Sequence, residues 1–429
     1  MPITNDQLYY EQDLRVPMTQ LTLVYHGAGI QQEAQQKTGL ARLTAKMLFR
    51  GTSALNREAI ARKFELLGAE VNANVSETDF IIAISCFTKN LDTVVDLVVS
   101  VIREASFPQQ ELELMIKSEL NQLEAALQEP ERVLSAANQF VLYDGAGVGR
   151  IGSKQGVLAI ERGDVVEFFS KVRSASVLYF NSISDVAMNE IEGATRRFSA
   201  GRSGGGFELK PEVRFREVRG RNAFVVHSPQ AKNDRLIWTQ EGIAATDDRR
   251  FDLSLIIDAL GSFEGFLFDE LRNKRGWCYG AYAFAVPATS RPGRIGVYAD
   301  PSHETSKDLI PEMLRLYRVF PHEQEFQDRL VQRNTTFKNR YSYQLDLKFR
   351  LASRVSRDRY GIPILKRDAY NSRIDAVTDI STQRVIDELF DDRNLCMVFY
   401  GDAERIRKIL ADCDSSIQVT VMEKERLIA

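Results

Sequence analysis

Apolar and polar positions alternate with a period of two over Met18 to His26 (MTQLTLVYH) and again over Asp79 to Cys86 (DFIIAISC), the pattern of half-buried strands. Glu70 to Val75 is a third strand-like run. Between and after them the period changes to that of helices, over Gly39 to Phe49, Asn56 to Leu67, Leu91 to Glu104 and Gln109 to Gln128. A helix over Asp164 to Val172 and a strand over Ser176 to Ile183 (SVLYFNSI) close the first half.

The script then repeats, and a repeat fixes architecture before any motif is read. Strands are expected at Asn222 to Ser228, Arg235 to Gln240, Ala281 to Ala285 and Arg294 to Tyr298. Phe251 to Arg272 is expected to be helical, with further helices over Glu304 to Tyr317 and Gln324 to Tyr341. A helix over Ile380 to Leu389 leads into a strand, Asn394 to Tyr400 (NLCMVFY), as in the first half. Ser199 to Phe207 (SAGRSGGGF) reads as a flexible Gly/Ser connection near the midpoint. The expected division is 1–198, a linker at 199–211, and 212–429. The fold class is α+β: two homologous halves, each a mostly antiparallel sheet with helices on one face, closing like a clam around a chamber.

Composition narrows the function without choosing it. The chain has 429 residues, 27% charged and 44% hydrophobic, with net charge −3. No Lys/Arg surplus of the kind that marks a nucleic-acid surface is present. No apolar run is long enough for a membrane span, and Met1 to Gln20 holds no signal-type apolar core. Cys86, Cys278, Cys396 and Cys413 stand far apart in apolar surroundings and read as buried free thiols. The cytoplasm is the default compartment, with the periplasm and the mitochondrial matrix as alternatives. Gly145 to Gly149 (GAGVG) lacks the strand-to-helix setting of a dinucleotide site. Arg162-Gly163-Asp164 is an adhesion-like triplet that reads better as a helix start at Asp164. His26, His227, His303 and His322 are singletons without metal-ligand spacing.

Two stretches carry a resemblance. Gly39 to Thr52 (GLARLTAKMLFRGT) resembles the zinc helix of the pitrilysin/insulinase and mitochondrial-processing-peptidase family, GLAHFLEHMLFKGT, whose inverted HxxEH motif places two histidines one helical turn apart. The two histidine positions fall on Arg42 and Lys46 and the general-base position on Ala45; the third ligand position corresponds to Glu119. Two cations repel a metal ion, so no zinc is expected in this chain, and Glu119 is expected to pair with Arg42 or Lys46. Leu260 to Phe284 (LGSFEGFLFDELRNKRGWCYGAYAF) resembles the family's second-half motif, with its Arg and Tyr at Arg272 and Tyr279. In active members this pair holds the substrate and polarises the carbonyl under attack. Capping of a helix end by Arg272 and packing of Tyr279 in the sheet is the plainer reading of the same two residues. Glu264-Gly265-Phe266 departs from the small-residue and Ser-Arg segment found there in the family.

The resemblance implies a division of labour. An HxxEH-bearing homologous subunit would carry zinc, water and Glu; this chain would supply Arg272 and Tyr279. Unfolded peptides are the implied substrates, added as a strand along a sheet edge. The corresponding strand here contains Ala69, Glu70, Val71, Asn72 and Ala73. The alternative is a catalytically inert peptide-binding or scaffold protein of the same fold, or a homodimer where no partner exists.

Overall fold

The computed structural model describes residues 6–143, 151–175, 177–200, 206–208, 219–286, 293–340 and 346–428. The GAGVG run and most of the 199–211 connection lie outside them. The order in the first half is β1 (Gln7–Gln12), β2 (Met18–His26), α1 (Leu40–Met47), α2 (Arg57–Leu66), β3 (Glu70–Val75), β4 (Asp79–Phe87), α3 (Leu91–Glu104) and α4 (Gln109–Ala126). It continues with α5 (Pro130–Leu142), α6 (Lys154–Leu158), α7 (Arg162–Arg173), β5 (Val177–Ser184) and α8 (Met188–Ser199). The second half runs β6 (Asn222–His227), β7 (Arg235–Glu241), α9 (Arg250–Gly261), α10 (Phe266–Phe268), β8 (Cys278–Val286), β9 (Arg294–Pro301) and α11 (Ser306–Val319). It ends with α12 (Gln324–Arg340), α13 (Leu347–Tyr360), α14 (Arg367–Asp375), α15 (Asp379–Leu389), β10 (Cys396–Gly401), α16 (Ala403–Cys413) and β11 (Gln418–Met422).

Two sheets result, one per unit. The five-stranded sheet has the order β1-β5-β2-β4-β3, the six-stranded sheet β11-β6-β10-β7-β9-β8. Both are mostly antiparallel; β1 with β5, and β6 with β10 and β11, are the parallel pairs. Helices cover one face of each. Phe80, Ile82, Ile84 and Cys86 alternate inward along β4, as the sequence period requires. Trp238 and Leu236 do the same along β7.

The units are not two consecutive stretches of chain. Unit 1 joins residues 1–124 and 152–211 to the later segment 343–361, and unit 2 takes 125–151 from the first half. Each sheet therefore also carries, on its second face, one helix from the other half. Leu351 and Val355 of α13 pack on Tyr9, Val24 and Tyr179. Asn138 of α5 donates to Thr239 Oγ1 at 2.8 Å, and Arg235 pairs with Glu131. Neither α5 nor α13 was among the helices expected from the sequence, and period in any case reports a buried face and not the surface that buries it.

One predicted element is corrected. The helix expected over Phe251 to Arg272 stops at Gly261, and the chain turns through Ser262–Gly265 before helical structure resumes. Gly261 lies directly on β8: a Cβ there would fall 1.7 Å from the Ala283 amide nitrogen. A side chain at Gly265 would meet the backbone of Gly261 and Ser262 within 2.6–2.9 Å. The break is the price of bringing α9 onto the sheet.

Candidate functional site

In unit 1 Arg42, Lys46 and Glu119 converge. Helix α1 begins at Gly39, whose φ of 108° lies in the left-handed region that favours glycine. The Glu33 carboxylate caps this start, accepting from the amides of Gly39 at 2.9 Å and Ala41 at 2.7 Å. Burial pushes the Glu33 carboxyl above its ordinary value, against those two hydrogen bonds. Leu40, Ala41, Leu43, Thr44, Ala45 and Met47 are buried, so Arg42 and Lys46 occupy the remaining face one turn apart.

That face meets α4. Glu119, only 2% exposed, accepts from Arg42 Nη1 at 3.0 Å through one oxygen and from Lys46 Nζ through the other. Lys46 also donates to Gln122 Oε1 at 2.9 Å. Burial alone would raise the Glu119 carboxyl, but Lys46 and then Arg42 outweigh it and hold it below its ordinary value. Neither a guanidinium nor an ammonium has a lone pair to give a metal. Glu119 already spends both oxygens on cations, so this donor set does not fit zinc. Among the described residues the acidic cluster close enough to share an ion is Asp269, Glu270 and Glu325. Lys274, Arg275 and Arg329 already neutralise it.

In unit 2 the structure brings Arg272 and Tyr279 together. Arg272 sits in a single π-helical turn, Asp269–Asn273. Gly276, at φ 67°, ends that helix, and the chain enters β8 through Trp277. Arg272 Nη1 donates to the Cys278 carbonyl at 3.1 Å, and its guanidinium lies 5.7 Å from the centre of the Tyr279 ring. Tyr279 does not pack in the sheet; it is 78% exposed. Beside it, Asp300 Oδ1 accepts from the Gly280 amide at 2.6 Å, and burial pushes the Asp300 carboxyl up. Sequence reasoning missed both Asp300 and Glu33; neither stands in a motif, and only the fold brings them to these amides.

Strand β3 is the outer strand of its sheet, paired with β4 on one side alone. Glu70, Asn72 and Asn74 are exposed in alternation with half-buried Val71, Ala73 and Val75. Ala69 precedes the strand, its amide bound to the Phe64 carbonyl at 2.9 Å. Arg42, Lys46, Glu119 and β3 thus belong to unit 1, and Arg272 and Tyr279 to unit 2. The thiols of Cys86, Cys278 and Cys396 are buried, and burial pushes Cys86 up to about 11 and Cys278 up to about 12, which makes them poor nucleophiles.

The family model described as Insulinase (Peptidase family M16) matches residues 18–145, and that described as Peptidase M16 inactive domain matches 159–329. The chain is 20% identical over 283 residues to an uncharacterized zinc protease of Streptomyces coelicolor, covering 64% of this chain and 61% of that protein. It is 23% identical over 203 residues to the mitochondrial-processing peptidase subunit beta of Rattus norvegicus, covering 42% of this chain and 41% of that one. A shorter match, 25% over 126 residues, is to core protein I of the ubiquinol-cytochrome-c reductase complex of Euglena gracilis, covering 29% of this chain and 26% of that protein. The chain therefore spans less than two thirds of the length of these curated relatives. Among solved structures, the peptidase M16 inactive domain from Pseudomonas fluorescens superposes with a TM-score of 0.79 at 19% identity, covering 94% of this chain and 98% of that one. A protease from Helicobacter pylori gives 0.71 at 15% identity, covering 94% and 98%.

Proposed function

Because the chain belongs to the insulinase family of peptidases, M16, we propose that it is the zinc-less subunit of a two-subunit peptidase. It contributes Arg272 and Tyr279, while an HxxEH-bearing homologue contributes the metal, the water and the general base. The observation that carries this reading is an asymmetry. The positions that would hold zinc are closed by the Arg42–Glu119–Lys46 ion pairs, yet Arg272 and Tyr279 remain paired and exposed.

The chemistry of the exposed pair suits that role. A guanidinium and a phenol donate hydrogen bonds to a carbonyl oxygen that gains negative charge as water attacks the peptide, which is the work of an oxyanion hole. An unfolded peptide supplies the extended backbone such a site needs, and an open strand edge such as β3 accepts one by strand addition.

A scaffold role is the second reading, favoured by the similarity to a protein named as core protein I of the ubiquinol-cytochrome-c reductase complex. Co-expression with an HxxEH homologue from the same genome, followed by cleavage of unfolded peptides, separates the two. The reading expects activity in the mixture alone and its loss on Arg272→Ala or Tyr279→Phe. An active mixture indifferent to both substitutions, or an inactive one, leaves the scaffold.

A further inference from the structure

Two backbone irregularities meet where Arg272 and Tyr279 are presented. The first is the π-helical turn that carries Arg272. The second is a bulge at the start of β8. Strands β8 and β9 pair in step from Val286 opposite Arg294 to Ala281 opposite Ala299, and the next pair is Cys278 with Pro301. Tyr279 and Gly280 therefore stand together opposite one residue, Asp300. A bulge of this kind re-aims a side chain and leaves its own amides without ladder partners.

The internal repeat supplies a comparison. Outer strand β3 of unit 1 pairs with β4 without a slip, from Glu70 opposite Ser85 to Val75 opposite Phe80. Outer strand β8 of unit 2 carries the slip at the tyrosine. An edge strand of this fold needs no bulge for its own sake.

Something must hold the bulge, since Tyr279 has too little packing to fix itself. Arg272 takes the Cys278 carbonyl at 3.1 Å. Asp300 takes the Gly280 amide at 2.6 Å. The peptide groups on both sides of Tyr279 are thereby tied down. Groups that stabilise a transition state must be held to within roughly 0.5 Å, and here only the backbone can do it.

We propose that Asp300 is the positioning residue of the Arg272–Tyr279 pair: its carboxylate fixes the β8 bulge and so aims the tyrosine phenol beside the guanidinium. The functional half of this statement rests on the proposed subunit role; the structural half does not.

Residue-resolved amide hydrogen exchange on the full chain tests the structural half. In the wild type the Gly280 amide is protected although it lies on an outer strand. Asp300→Leu removes the acceptor and speeds its exchange about 10-fold or more, while Asp300→Asn, which keeps an acceptor oxygen, preserves the protection. An unprotected Gly280 in the wild type, or protection that survives Asp300→Leu, overturns the proposal, and the wild-type measurement alone decides it should Asp300→Leu fail to fold.

The functional half is read in the co-expressed pair. Asp300→Leu lowers kcat by roughly 10- to 100-fold with little change in KM, Asp300→Asn restores most of it, and Asp300→Leu adds little when Tyr279 is already Phe. Additive losses would mean that Asp300 acts elsewhere than through Tyr279. Indifference of the pair to Arg272→Ala and Tyr279→Phe would instead refute the subunit reading, leaving the exchange result to stand on its own.

Discussion

Glu119 shows how a single buried carboxylate declares what its neighbours must be. It is almost fully enclosed, so it needs cations, and Arg42 and Lys46 provide them from one face of α1. Removing one partner of a buried pair leaves an uncompensated charge, which typically costs about 3–5 kcal/mol; because Lys46 is part-exposed and Arg42 remains, Lys46→Met should cost nearer ~2 kcal/mol, measured by urea unfolding. The Glu119 carboxyl titrates below its ordinary 4.5 in the folded chain. Its contribution is therefore fully present above the unfolded value and is lost as pH falls through the lower folded value. Acid unfolding followed from pH 6 downward should accordingly show a shallower decline in Glu119→Gln than in the wild type. The sequence made this cluster legible as far as charge: two cations one turn apart and an acid some seventy residues on. That both cations share the one carboxylate, and that Gln122 joins them, came only with the packing of α1 on α4.

At the scale of elements, what the hydrophobic period predicted best was what it measures directly. Strands β2 and β4 lie where alternation put them, because a strand buried on one face must alternate. The stretch Phe251 to Arg272 is helical on both sides of a break at Ser262–Gly265 that its apolar positions do not reveal; the cause lies in the backbone contact of Gly261 with Ala283, which no period reports. Gly261→Ala forces α9 away from β8 and should cost about 3 kcal/mol or more, seen as a lowered Tm. A Tm unchanged by that substitution would show that the contact is looser than described. The Arg272–Tyr279 spacing survived the break, which is why the motif was readable although the element around it was not.

Across the whole molecule, the interleaving of the two halves sets what can fold alone. Arg359 of α13 donates to both oxygens of buried Asp79, at 2.9 and 3.0 Å, and to the Tyr179 hydroxyl at 3.1 Å. It ties the second half of the chain into the unit 1 sheet, beside the apolar contact of Leu351 with Tyr9, Val24 and Tyr179. A fragment ending at residue 208 lacks that helix and exposes the apolar face, so it should bind hydrophobic dye and unfold without cooperativity, whereas the full chain does not. A cooperative, dye-free fragment would contradict the exchange of helices. The repeat itself and the α+β class were legible from the order of elements, but α5 and α13 were not among the expected helices, and nothing in their own pattern names the surface that buries them.

In the proposed reading, the Arg42–Glu119–Lys46 ion pairs stand where a metal centre would be, and Arg272 and Tyr279 remain to act on the substrate. Zinc content, counted per chain, tests it most directly. No stoichiometric zinc is expected on this chain purified alone, and one zinc per two chains in the active mixture with an HxxEH homologue. One zinc bound to this chain by itself, lost on Glu119→Gln, would contradict that reading.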